Sequence, residues 1–381
     1  MVEERDFSNY QRFPGETGNL FDVILHRFEI IERIPWPIFG LGLLILAGLF
    51  SWLKWPKDLA LWVFYLSDWV LLAALPRAHR SFGPAKPPVL LLAVLRAIFC
   101  LFPFWPFLIF QLIGTGLVIL AFWIEPQRLT VTHQVLESSK FTSERPLRLL
   151  HLGDLHIERI TRREKRLVEV VHDLKPDIIL FSGDILNLSY LKDPAAWEAG
   201  RAILSEWEAP LGVYLVSGSP AVDLVEIMPD LIKDLGIKRL ENEKVTVEFE
   251  GGYFDLIGLT CTHRPAIDIP QLAGLINANN DPFTIFLYHS PDLAPAAARL
   301  GVDLQLSGHT HGGQIRLPGF GAFFTGSLYG KAFESGRRQL GNMTLYVTRG
   351  IGLEGAAAPR ARFFCPPEII LWEIKKPNKE G

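Results

Sequence analysis

Cysteine is almost missing from this chain of 381 residues. The three present, Cys100, Cys261 and Cys365, have no paired spacing, which excludes a disulfide framework and a thiolate zinc site. Cys100 lies in an apolar run and reads as a small hydrophobe. An excess of basic charge is missing too. The 38 Lys and Arg against 41 Asp and Glu leave a net charge of -3. With a pI near 6.4, the chain has no global signature of a nucleic-acid partner. Residues 1–20 hold no apolar core, so a conventional cleavable signal peptide is not expected there. Internal repeats and low-complexity segments are also lacking. Apolar residues are plentiful. Ten Trp and 26 Phe accompany a mean hydropathy of +0.21, high for a purely soluble enzyme and indicative of membrane segments.

The chain length favours two regions over one. Residues 1–36 form a polar and amphipathic segment. Within it, Ile24, Leu25, Phe28 and Ile31 recur at helical spacing between Asp22, Arg27, Glu29, Glu32 and Arg33. Such a helix suits a membrane surface or the flank of a folded domain. Residues 37–125 read as a transmembrane helical region of three or four spans. The run Pro37–Leu53 is bounded by Trp36 and by Trp52, Lys54 and Trp55, an aromatic and lysine belt. Leu59–Leu75 is a second run with Asp68 inside it; a carboxylate there is costly, and a neighbouring helix or shallow aqueous pocket is its expected partner.

Arg77 to Lys86 is a basic loop, and the positive-inside rule favours the cytoplasm for it. Pro88–Ile124 exceeds the roughly 20 residues of one span and is broken by Pro103 and Pro106. Two short spans would leave the following domain on the side of the basic loop. One span preceded by an interfacial segment with Arg96 would place it opposite. Multi-pass membrane localisation with a cytoplasmic domain is the favoured expectation.

Residues 128–375 alternate strands and helices, the pattern of a layered α/β domain. Strands are expected at Leu147–Leu152, Asp177–Phe181, Gly212–Val216, Thr284–Tyr288, Asp303–Leu306, Thr344–Thr348 and Glu368–Ile374, with a hairpin from Lys244–Phe249 to Tyr253–Gly258. Helices are expected at Thr161–Leu174, Ala195–Trp207, Val222–Leu235 and Pro291–Leu300.

Metal-binding residue types fall just after these strands, where functional groups of α/β sheets gather. Leu152 is followed by Gly153-Asp154-Leu155-His156, and Phe181 by Ser182-Gly183-Asp184, with Asn187 three residues on. His289 follows the strand ending at Tyr288. Leu306 leads into Ser307-Gly308-His309-Thr310-His311-Gly312-Gly313, a tight turn whose two imidazoles can face different points. Taken singly, each could be an ordinary polar residue. Two Asp and four His from four strand ends converge, and mixed carboxylate and imidazole donors suit Mn, Zn or Fe. An Asp oxygen can bridge two such ions, the arrangement used for hydrolysis of phosphate esters. His151 and His172 fall outside the pattern and read as structural or surface residues, and His263 is a loop residue next to Arg264 with no assigned ligand role.

With these motifs in order, the sequence resembles the calcineurin-like metallophosphoesterases, an α/β/β/α sandwich. More narrowly it is similar to their membrane-associated YaeI/YkuE-type branch, which includes LpxG-like UDP-2,3-diacylglucosamine pyrophosphatases. The narrower resemblance rests on Gly308 to Pro318, Tyr346 to Gly352 and Pro366 to Ile369, and the whole covers about residues 128–375. It implies two divalent ions. One would be held by Asp154, His156, Asp184 and His311, the other by Asp184, His289 and His309. Asp184 and His309 are the implied catalytic residues. The implied substrate is a phosphodiester or pyrophosphate, with a lipid-linked compound suggested by the membrane region, and no nucleic acid.

One stretch departs from the family. Where Gly-Asn-His is expected, the chain has Gly218-Ser219-Pro220. A serine hydroxyl is a weak neutral ligand, and proline offers no donor. In the family the Asn binds the second ion and the His serves the phosphoryl group or leaving oxygen. Asp223 could reach the second ion, but capping the next helix is its simpler role. The departure keeps a second reading open: a metal-binding homologue that binds a phosphorylated ligand or regulates a partner. A transporter is a third reading, but these helices are too few and too plain for one.

Overall fold

The computed structural model describes residues 2–7, 15, 16, 18–276 and 282–377. Its strands are β1 (Thr130–Glu137), β2 (Leu147–Leu152), β3 (Ile178–Phe181), β4 (Val213–Leu215) and β5 (Ile237–Arg239). Then come β6 (Glu243–Phe249), β7 (Gly252–Gly258), β8 (Phe283–Leu287) and β9 (Leu304–Ser307). Short β10 (Arg316–Leu317) and β11 (Gly321–Ala322) make a small hairpin, and β12 (Gly336–Leu340), β13 (Met343–Val347) and β14 (Glu368–Lys375) finish the chain. One sheet has the order β1-β14-β2-β3-β4-β5, the other β12-β13-β9-β8-β7-β6. Neighbours β2, β3 and β4 run parallel, as do β7, β8 and β9, so within each set the carboxyl ends share one edge.

Strand alternation builds the layers. Leu147 and Leu149 of β2, Ile178 and Leu180 of β3, and Ile370, Trp372 and Ile374 of β14 meet Ile285, Leu287, Leu304 and Leu306 of the other sheet. Leu150, Leu152, Ile179 and Phe181 point the other way, against α6 (Arg162–Leu174) and α7 (Pro194–Leu204). Beyond the second sheet, Phe286 and Leu345 pack with Leu272 of α9 (Pro265–Leu275) and Ala297 of α10 (Ala294–Arg299), while α8 (Met228–Ile232) belongs to the first helical layer. The result is the expected α/β/β/α sandwich. Each fully buried Leu or Ile stabilises it by about 1.5–3 kcal/mol.

Most expected elements form within two or three residues. Thr161 starts α6 with a capping box through Glu164. The expected helix over Val222–Leu235 shrinks to α8 because Pro229 sits in its first turn and the preceding residues form turns.

Five helices precede the sandwich: α1 (Leu20–Phe28), α2 (Trp36–Ser51), α3 (Lys57–Ala74), α4 (Lys86–Ala97) and α5 (Phe104–Ile119). Among the described residues, one helical stretch is long and apolar enough to cross a membrane. It is Phe104–Gln127, with 24 residues and a mean hydropathy of 2.3. Val23–Arg33 and Trp36–Ser51 qualify only as a pair, bent by 108°. The three or four spans expected from the apolar runs therefore reduce to one, or two with the bent pair. Helix α3 carries Lys57, Asp58 and Asp68, and α4 stops after 12 residues. Leu41, Ile45 and Leu49 of α2 and Ile109, Leu112 and Ile113 of α5 face outward, an apolar surface suited to lipid.

Asp68 does face a neighbouring helix. Arg96 of α4 grips both its oxygens at 2.6 Å and reaches the Gln111 carbonyl of α5 at 2.8 Å. The bundle also meets the sandwich directly. Phe82 donates its backbone N–H to Glu158 at 2.8 Å, and Arg362 to the Ala121 carbonyl at 2.9 Å.

Candidate metal centre

Five of the six ligand candidates, all but His289, leave their strands on turns that ordinary residues avoid. The φ angles are 50° at Asp154, 40° at His156, 63° at Asp184, 70° at His309 and 51° at His311. The left-handed region costs a non-glycine residue about 1–2 kcal/mol, less for Asp. Strain repeated at five such positions marks a functional site. Two glycines allow the backbones to close. A Cβ on Gly183 would lie 2.4 Å from Gly218 Cα, and one on Gly218 would lie 2.1 Å from Asp184 Oδ1.

The side chains converge in two groups joined by one oxygen. Asp154, His156 and His311 form the first, with His156 Nε2 2.9 Å from His311 Nε2. His263, His289 and His309 form the second. Asp184 Oδ1 accepts the Ser219 backbone N–H at 2.7 Å, which leaves Oδ2 between the groups, 3.4 Å from His156 Nε2 and 3.3 Å from His289 Nε2. Asp154 Oδ1 accepts the His309 N–H at 2.9 Å, while its Oδ2 is buried without a partner. The two imidazoles of the Gly-His-x-His turn thus face different groups, as its geometry suggested.

The donor set fits divalent cations. His289 Nδ1 lies 2.8 Å from the Ser182 carbonyl and His309 Nε2 3.2 Å from the Gly326 carbonyl. A carbonyl can only accept, so these nitrogens carry the protons and the opposite nitrogens face inward, as in metal-ligating histidines. The orphaned Asp154 oxygen points to a missing positive partner. Burial pushes the Asp154 carboxyl up to about 6, against the pull of His289. Burial also opposes ionisation of Asp184, but His289, with His156 and His309, outweighs it and holds the carboxyl below its usual range. Burial lowers His289 and the charge of Asp184 more than reverses this, lifting it to about 9. Burial keeps His309 at about 3 and His311 and His263 well below the usual imidazole value. His309, His311 and His263 are thus the neutral imidazoles that ligation requires, beside an ionised Asp184, whereas His289 would give up a proton to a bound cation.

All six predicted residues come together. Asn187 does not join them: its amide donates to the Leu353 carbonyl at 2.8 Å and its oxygen accepts the Ser189 N–H at 3.0 Å. His151, as expected, is structural, 3.1 Å from Ser182 Oγ. Two expectations need correction. Asp223 neither caps a helix nor approaches the imidazoles. It accepts backbone N–H groups of Asp184, Ile185 and Gly218 at 2.8, 3.0 and 2.7 Å and ties the two ligand loops together. His263 is no idle loop residue but a buried member of the second group, with its ring 4.4 Å from that of His309. A signal for it was present: it follows β7, the parallel neighbour of β8.

A cavity of about 230 Å³ opens onto Asp184, Ser219, His309 and His311, with Gly15 and Asn19 of the amino-terminal segment on its rim. Phe324, on its wall, continues from the β10–β11 hairpin, whose Leu317, Phe320 and Phe323 are also exposed. Arg316 donates its N–H to the Phe363 carbonyl, one residue from Arg362 and its bond to Ala121. The hairpin is therefore one backbone segment from the carboxyl end of the apolar helix.

The chain is similar in sequence to known proteins. The calcineurin-like phosphoesterase family model matches residues 147–313. The metallophosphoesterase YkuE of Bacillus subtilis is 28% identical over 67% of this chain and 89% of its own length. A transmembrane protein with metallophosphoesterase domain from Bos taurus is 27% identical over 44% of this chain and 41% of its own. The UDP-2,3-diacylglucosamine pyrophosphatase LpxG of Chlamydia trachomatis is 25% identical over 65% of this chain and 90% of its own. The chain carries a calcineurin-like metallophosphoesterase domain, and the members of this family are hydrolases of phosphoesters that use divalent metals.

Proposed function

We propose that the protein is a membrane-anchored phosphoesterase with a two-metal centre that cleaves a phosphodiester or pyrophosphate bond in an amphiphilic, lipid-linked substrate. The observation that carries this reading is Asp184 Oδ2, poised between two buried groups of imidazoles. Asp154, His156, His311 and Asp184 would hold one ion, and Asp184, His289 and His309 the other. Two such ions supply a Lewis acid for the phosphoryl oxygens and charge to activate a water.

The chain's own residues do the positioning. Asp154 fixes the His309 backbone, and the Ser219 amide fixes the Asp184 carboxylate. Pro220 has no proton to give a leaving group, so departure of the alcohol or phosphate relies on the remaining groups. The apolar hairpin at the cavity and the outward apolar faces of α2 and α5 favour a substrate drawn from a bilayer. The relative LpxG is a UDP-2,3-diacylglucosamine pyrophosphatase, which agrees with that chemistry.

The test loads purified protein with Mn or Zn and follows hydrolysis of bis(p-nitrophenyl) phosphate and of a lipid pyrophosphate in mixed micelles. Turnover of both, lost in Asp184→Ala, supports the proposal. Turnover of the soluble ester alone removes the lipid substrate. Two bound ions without turnover of either, restored by Ser219→Asn with Pro220→His, would replace it with the phospho-ligand-binding reading.

A further inference from the structure

Ser219 Oγ sits at the centre of three imidazoles. It is 3.1 Å from His289 Nε2, 3.4 Å from His309 Nδ1 and 3.1 Å from His263 Nε2. The ligand atoms of the three histidines all lie within 4.8 Å of one another. Carbonyl acceptors turn the inward nitrogens of His289 and His309 toward this point, as described above, and a single hydroxyl cannot satisfy all three rings. Three ligand nitrogens thus converge on one point within reach of a single cation.

His263 is presented with the same care as the other ligands. Its φ is 60°, in the left-handed region that Asp184 and His309 also occupy. The residues on either side are pinned by one buried carboxylate. Asp268 accepts the Thr262 N–H at 3.1 Å and the Thr262 hydroxyl at 2.8 Å, and Thr262 Oγ1 in turn accepts the Arg264 N–H at 3.1 Å. Tyr288, which precedes His289, donates to the same Asp268 oxygen at 2.5 Å. One anchor therefore fixes both the His263 loop and the strand end that carries His289. Gly15 packs so closely on the ring that a Cβ there would lie 2.3 Å from His263 Nε2.

We propose that His263 is a ligand of the second ion, which it completes as a three-imidazole, one-carboxylate site with His289, His309 and Asp184. Ser219 and Pro220 offer neither an amide oxygen nor a nitrogen there, and the β7 loop supplies the imidazole from another direction. Three imidazoles and a carboxylate select Zn or Fe over Mg or Ca. This inference rests on the two-metal reading above.

The experiment measures zinc content by mass spectrometry and second-site affinity by calorimetry for the full chain in detergent, wild type against His263→Ala and His263→Asn. The Asn variant keeps a polar group toward Ser219 if the Ala variant fails to fold. The Co²⁺-substituted protein is read in parallel by its visible absorption. Two ions in the wild type, with second-site affinity lowered by more than about 100-fold in the variants and loss of the corresponding cobalt band, are expected; even an outer-shell partner is worth about 10–100-fold. Two ions bound with unchanged affinity in the variants would overturn the role of His263 and leave the two-metal reading standing. A single ion in the wild type would overturn both.

Discussion

Asp223 Oδ2 accepts the backbone N–H of Asp184 at 2.8 Å, and with two further bonds it holds the Gly-Asp loop to the Gly-Ser-Pro loop. Asp223→Ala leaves three buried N–H groups without a partner. Each such orphan costs about 1–3 kcal/mol, so a loss of about 3 kcal/mol or more is expected in chemical denaturation. Asp223→Asn, which keeps one oxygen, should lose less. An Ala variant as stable as the wild type would remove the clamp from the account.

Asp184→Asn tests the bridging oxygen. Its amide oxygen can keep the Ser219 N–H, which turns the NH₂ toward the two imidazole groups and against any cation. Metal content should fall from two ions to one or none, and kcat/KM by more than the roughly 10–100-fold typical of an outer-shell change. Full metal content in this variant, measured by mass spectrometry, would show that Oδ2 does not bridge.

The Asp68–Arg96 pair has both partners buried among the amino-terminal helices. Removing one partner of such a pair costs about 3–5 kcal/mol, because the other charge is left uncompensated. Arg96→Met should therefore lower the melting temperature in detergent markedly. Asp68→Leu combined with Arg96→Met should recover most of the loss. A double variant no more stable than the single would contradict this.

Asp292 gives the fold a pH dependence away from the metal centre. Burial pushes its carboxyl up to about 6, although Ser327 and the Leu328 N–H bond to it. The folded state thus holds this proton more tightly than the unfolded chain, whose value is about 3.9. Its contribution to stability is fully present below about pH 4 and is lost as pH rises through about 6. The stability difference between wild type and Asp292→Asn should change across this window and be flat above it. A difference that stays constant from pH 4 to 7 would refute the assignment.

The sequence made six candidate residues legible because each lies two to four residues beyond a strand end, in a motif with its own spacing. His263 escaped because it stands five residues beyond β7, held by a hydrogen-bonded loop rather than by a short motif. Asp223 escaped because a carboxylate before a short helix reads as a cap until the backbone it faces is seen. The layers followed from strand alternation, which is a local property. The membrane region was over-read because long apolar runs conceal breaks: α4 ends at 12 residues, and Pro103 separates it from α5. Arg96 and Asp68, each unfavourable alone, make sense only as a pair from different helices.

The left-handed backbone at Asp154, His156, Asp184, His309 and His311 carries a consequence for laboratory evolution. Glycine relieves that conformation, and at His156 and His311 it would do so without stranding a backbone N–H, whereas at Asp154 and Asp184 it would orphan the N–H groups of His309 and Ser219. A thermal screen run in chelator would therefore enrich glycine at His156 and His311, two of the positions proposed to ligate. Run in saturating metal, the same screen would purge those variants, since binding favours the folded state by about 2.7 kcal/mol at 100 times Kd. The choice of buffer alone would decide whether selection for robustness preserves the enzyme or erases it.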